Sequence, residues 1–168
     1  YLTVAQGWNL VAGYTGQISL GQNAFFGLGA YTMAGLWLNG IGLWFFFDVT
    51  LMIAAGIAPA ILAILIGIPL LSRLEGDYFS FGTLGMGMII NVLFIKGGDL
   101  TGGANGIYLD ASSFSSMRIY YWVALLMAFL ATLAVFLITN SRIGLALKAI
   151  REDDISAASH GINVLKYK

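Results

Sequence analysis

The stretch Val49–Leu71 contains no charged residue and is almost wholly aliphatic. A helix that spans a bilayer needs about 20 consecutive apolar residues, and inside lipid every backbone N–H and C=O must find its partner within the segment or bundle. A run of this length and character restricts the chain to a helical membrane protein. Composition agrees: 59% of residues are hydrophobic and 10% are charged, against about 25% charged in soluble domains. The expected fold class is all-α, a polytopic transmembrane helical bundle.

Further spans follow from the same criterion. Ala24–Phe47 is long enough to cross, with Asn39, Gly40 and Gly42 weakening its far end and Trp37, Trp44 and Phe45–Phe47 suited to an interfacial belt. Tyr78–Ile95 is just long enough, and Gly82, Gly85 and Gly87 make it a poor isolated helix. It must be held by neighbours or be locally unwound. Ile119–Ile138 is a clean span of Leu, Ala and aromatics, anchored by Tyr120, Tyr121 and Trp122. Leu2–Tyr14 is apolar but too short, and reads as a partial span. Gly56 and Ala60, and Ala63 and Gly67, are small pairs four apart that let helices pack closely in lipid. Pro59 is expected to kink its helix. Residues 1–168 read as one transmembrane domain, the interior of a longer membrane protein.

Lysine and arginine placement sets the expected orientation. Thr139–Lys168 holds Arg142, Lys148, Arg151, Lys166 and Lys168, and Arg73 lies two crossings away on the same side. That side is expected to be cytoplasmic, leaving Lys96 and Arg118 outside. In the tail, Ile143, Leu147 and Ile150 form one helical face. Asp153 or Asp154 can cap a second short helix, Ile155–His160, ended by Gly161; one continuous helix is the alternative.

Between the first two apolar segments lies Gly13–Tyr31, GYTGQISLGQNAFFGLGAY. It is uncharged, carries five glycines, and holds Thr15, Gln17, Ser19, Gln22 and Asn23. Neutral amides and hydroxyls face a polar solute in lipid at far lower cost than an ion does. Two readings stay open: a tight exposed turn between membrane helices, or a broken helix lining a transport path.

Several chemistries find no support. A net charge of zero gives nucleic acid no footing. No cysteine is present, which removes thiolate catalysis and cysteine metal sites. There is no Gly-rich phosphate loop followed by Lys-Ser/Thr and no His-Glu-x-x-His helix. The one histidine, His160, lies in the tail. No catalytic residue, metal site or cofactor is expected. Glu152–Asp154 reads as a solvated face or cap, and Asp99 and Asp110 as turn residues.

Three blocks in order carry a resemblance: Gly13–Tyr31; Glu75–Ile90 (EGDYFSFGTLGMGMII) with Leu100–Ile107 (LTGGANGI); and Gly144–Lys168 (GLALKAIREDDISAASHGINVLKYK). Together they resemble the permease subunit of branched-chain amino-acid ABC transporters, a type that includes urea and amide importers. The resemblance covers nearly the whole chain. It implies a bacterial inner-membrane importer subunit that pairs with a second permease subunit, docks two cytoplasmic ATPase subunits and receives solute from a periplasmic binding protein. It also implies a cytoplasmic coupling segment at Gly144–Gly161, a loose version of the Glu-Ala-Ala…Gly signature, with Ile155, Ala157, Ala158 and Gly161 as candidate ATPase contacts. Met88 and Asn91 stand where family members often carry an acid and an arginine. Thr15, Gln17, Ser19, Gln22 and Asn23 are the candidate path residues. The alternative class is a secondary transporter or channel, which also uses broken helices; no Asp, Glu, Lys or Arg falls inside the assigned spans to couple a proton.

Overall fold

The structure is a computed structural model that describes residues 1–41, 49–74, 76–109 and 117–167. Among these residues every regular element is helical. Helix α1 spans Leu2–Trp8 and widens into a π-helix over Asn9–Tyr14. An extended segment follows, and α2 runs from Gln22 to Leu38. Helices α3 (Val49–Arg73), α4 (Asp77–Lys96) and α5 (Met117–Thr139) form the long elements. The tail folds into α6 (Arg142–Glu152), α7 (Asp154–Ser159) and α8 (Val164–Tyr167).

Among the described residues, three helices are long and apolar enough to cross a membrane: α3 from Thr50 to Arg73, α4 and α5. Their large side chains stay exposed along whole faces, such as Leu126, Phe129 and Phe136 on α5. In water such faces would be untenable; in lipid they are the ordinary outer surface. Helix α2 is 17 residues long, roughly 26 Å at 1.5 Å per residue. It begins two positions before the expected span 24–47 and stops nine positions early. There the Asn39 carboxamide donates to Gly35 O (2.8 Å) and caps the end. Residues 42–48, including the aromatics and Asp48, lie outside the described residues.

Helix α2 packs most closely on α3, and the two sequences explain why. Pro59 lacks an N–H, so the carbonyl of Ala55, four residues earlier, loses its helical donor. Gly29 of α2 comes up to that carbonyl: a methyl group at Gly29 would stand 3.0 Å from Ala55 O. Both Pro59 and Pro69 lie within the continuous helix α3. Helix α4 is likewise unbroken, and its glycines are used by neighbours. Gly82 faces Leu70 and Leu74, and Gly87 lies against Gly21.

The tail is two short helices and a final turn. Asp153 separates them, in extended conformation, and its Oδ1 accepts from Ile155 N at 2.9 Å. That bond satisfies an orphan donor of α7. Gly161 follows α7 with φ +83°, a backbone conformation that favours glycine. Helix α6 buries Gly144, Ala146, Leu147 and Ile150. Ile143, expected on that face, is 48% exposed. Gly144 takes its place because the turn from α5 is tight, with Thr139 O against the Gly144 α-carbon.

Candidate functional site: a helix break beside a cavity

The segment from Gly16 to Gly21 is neither helix nor strand. It interrupts apolar structure, so its peptide groups need partners from elsewhere. Three side chains supply them. Trp8 Nε1 donates to Ser19 O at 3.0 Å. Ser80 Oγ donates to Ile18 O at 2.7 Å, and Leu20 N donates to Thr83 Oγ1 at 3.1 Å. Ser80 and Thr83 are one helical turn apart on α4 and so face the same way. Gly21 makes this approach possible: a methyl group there would stand 2.6 Å from Thr83 O. At the start of the segment Gly16 adopts φ +73°, the left-handed region that side chains resist.

The break forms one wall of a cavity of about 440 Å³, within the range of small-molecule sites. Gln17, Ser19, Gly21 and Gln22 contribute to it, with Phe25 and Phe26 of α2, Ile66 and Leu70 of α3, and Phe79, Thr83 and Ile90 of α4. Among the described residues, no charged side chain lines it. Gln17 is 7% exposed and Ser19 8%. Neither the Gln17 carboxamide nor the Ser19 hydroxyl has a hydrogen-bond partner among the described residues. No fully buried side-chain nitrogen or oxygen is left unsatisfied among those residues, so both groups still reach open space.

Of the five path candidates, the structure brings Gln17, Ser19 and Gln22 together on the cavity. Thr15 stands apart: its hydroxyl donates to Val11 O in the π-helix. Asn23 is exposed and does not line the cavity. Trp8, Ser80 and Thr83 were not among the candidate residues, although Ser80 and Thr83 lie in the block Glu75–Ile90. The one available signal was the pair of hydroxyls at helical spacing in an otherwise apolar, glycine-rich span.

Among the tail candidates, Ile155 is 82% exposed, and Ala158 and Gly161 are also exposed. Ala157 differs. It is 4% exposed, and its carbonyl accepts from Ile162 N at 3.1 Å. Its methyl group packs within the tail, leaving Ile155 and Ala158, three apart, as the outward pair.

Residues 1–168 match the family described as the permease component of branched-chain amino acid transport systems. The chain is 31% identical to the high-affinity branched-chain amino acid transport system permease protein LivM of Salmonella typhimurium (strain LT2). The identity to LivM of Escherichia coli K12 is also 31%, and both alignments cover 100% of this chain and 45% of the relative. The chain thus spans about half the length of the curated relatives it matches. No solved structure gives a significant match. The apolar helices mark a membrane-embedded protein, and its relatives are transport permeases rather than enzymes. The chain belongs to the family of branched-chain amino acid transport permease components.

Proposed function

We propose that this chain forms part of the translocation path of an ATP-driven importer for branched-chain amino acids or a related small polar solute. The importer sits in a bacterial inner membrane. Its partners are a second permease subunit, two cytoplasmic ATPase subunits and a periplasmic binding protein. ATP is hydrolysed on the partners, and this chain supplies the route and the gate. The observation that carries the reading is the break at Gly16–Gly21, which presents unpaired, uncharged Gln17 and Ser19 to a largely apolar cavity.

Neutral donors and acceptors in an apolar wall suit a solute that must be held weakly and released. A charged wall inside the bundle would bind too tightly or be too costly. Gln17, Ser19 and Gln22 serve as path residues. Ile155 and Ala158 form the outward face through which the ATPases act on α6 and α7. Family membership and identity to LivM over the whole chain support the substrate class. The test is reconstitution of the full-length protein with its partner subunits in liposomes. Uptake of radiolabelled leucine, isoleucine or valine is expected to require both ATP and the ATPase subunits. Uptake driven by a proton or sodium gradient without ATP would assign the protein to the secondary transporters instead.

A further inference from the structure

The tail packs against the end of the first helix and the start of the break, and these contacts have no part in the site described above. Arg151, in the last turn of α6, donates from Nη1 to Gly13 O at 2.7 Å across 138 residues of sequence. Gly13 lies in the last turn of the π-helix, where carbonyls have no helical donor left. A cation at that end also suits the helix dipole. The stem of the same arginine lies over Gly16, where an added methyl group would stand 3.1 Å from Arg151 Cγ. One turn earlier on α6, Lys148 Nζ lies 5.9 Å from the ring centroid of Tyr14. Four residues after Gly13 the chain reaches Gln17, whose amide lines the cavity.

We infer that Arg151 is a positioning residue, a latch that ties α6 to the end of the first helix and so carries movement of the tail to Gln17 and Ser19. The break is gripped on two sides. On one side Ser80 and Thr83 of α4 hold Ile18 and Leu20. On the other, Arg151 holds Gly13 and covers Gly16. If α6 shifts against α4, the four residues between Gly13 and Ile18 are sheared, and the cavity wall moves with them. A single exposed hydrogen bond contributes little to stability, so its value lies in where it holds the chain. The inference rests on the importer reading, because the tail must be driven by partner subunits. A coupling is physical when both sites bias one element with two arrangements; here that element is the segment Gly16–Gly21.

The test uses the full-length protein assembled with its ATPases in nanodiscs, in a background whose one cysteine is Ser19→Cys. The probe is N-ethylmaleimide, and the readout is its labelling rate with and without ATP plus vanadate. With Arg151 present, nucleotide is expected to change the rate by about fivefold or more, the low end of typical allosteric couplings. Arg151→Met keeps the stem over Gly16 but removes the donor, and is expected to abolish that response with the ATPases still bound. Arg151→Lys is expected to restore it, since one N–H···O bond is needed and not a bidentate pair. A full nucleotide response in Arg151→Met would overturn the latch. Loss of the ATPases from Arg151→Met would also overturn it, and would assign Arg151 to docking. Absence of any response with Arg151 in place would overturn the importer reading itself, and the latch with it.

Discussion

Gln17 and Asn23 are both amides in one polar cluster of the sequence, and the structure sends them to opposite surroundings. Gln17 is buried against the cavity and Asn23 is exposed. Composition identifies such a cluster but does not sort its members, because sorting depends on backbone direction through an irregular segment with no helical or strand period. Gly21 shows the same limit. As one of five glycines in the block its role is illegible, yet in the fold its missing side chain lets the break touch Thr83 of α4. Gly21→Ala puts a methyl group 2.6 Å from a backbone oxygen that has little room to retreat. It is expected to destabilise the protein by about 1–3 kcal/mol, the usual cost of overpacking. A thermal-denaturation series in detergent checks this, with Gly85→Ala as the control, since a methyl group there meets nothing within 4 Å.

At the scale of the element, the tail was the most legible part. An acid before small residues and a glycine after them encode a cap, a short helix and a stop, and Asp153, α7 and Gly161 take those places. What the sequence did not show is which small residue faces inward. Ala157 and Ala158 are chemically identical, and a six-residue helix offers too little periodicity to separate them. Burial of Ala157 splits their consequences. Ala157→Arg is expected to unfold the tail locally, seen as faster proteolysis of residues 153–167 in the isolated permease. Ala158→Arg is expected to leave proteolysis unchanged. It should weaken ATPase co-purification by about 30-fold or more, the consequence of stranding a cation in a desolvated interface at 2–5 kcal/mol. The end of α2 was less legible. An apolar and aromatic run suggested a span to Phe47, whereas a local side-chain cap ends the helix at Leu38.

For the whole molecule, hydropathy alone gave the class, because uncharged runs of 20 or more residues have few stable alternatives. Contacts between distant segments had no such signature: Arg151 meeting Gly13, or Ser80 meeting Ile18, follows from packing of the complete bundle. The structure places the Arg73 end of α3, the start of α4, the helix break and the tail at one end of the bundle. The turn at Gly103–Asn105 lies at the far end of α4. The cation bias predicts that the first end faces the cytoplasm. Single cysteines at Ser156 and Asn105, both exposed, test this: an impermeant thiol reagent is expected to label Asn105→Cys in spheroplasts and to spare Ser156→Cys until the membrane is opened.

The central claim is that the break at Gly16–Gly21 lines the route of the solute. The most direct measurement is the initial rate of ATP-dependent leucine uptake by liposomes holding the full-length protein and its partners, with Gln17→Leu and Asn23→Leu compared at equal assembly. Gln17→Leu removes a buried amide from the cavity wall, and loss of a hydrogen bond worth about 1.4 kcal/mol or more lowers the rate about tenfold or more. Asn23→Leu, off the cavity, is expected to stay within about twofold of the parent rate, as surface substitutions usually do. Equal rates for Gln17→Leu and the parent, or an equal loss in both variants, would contradict the account.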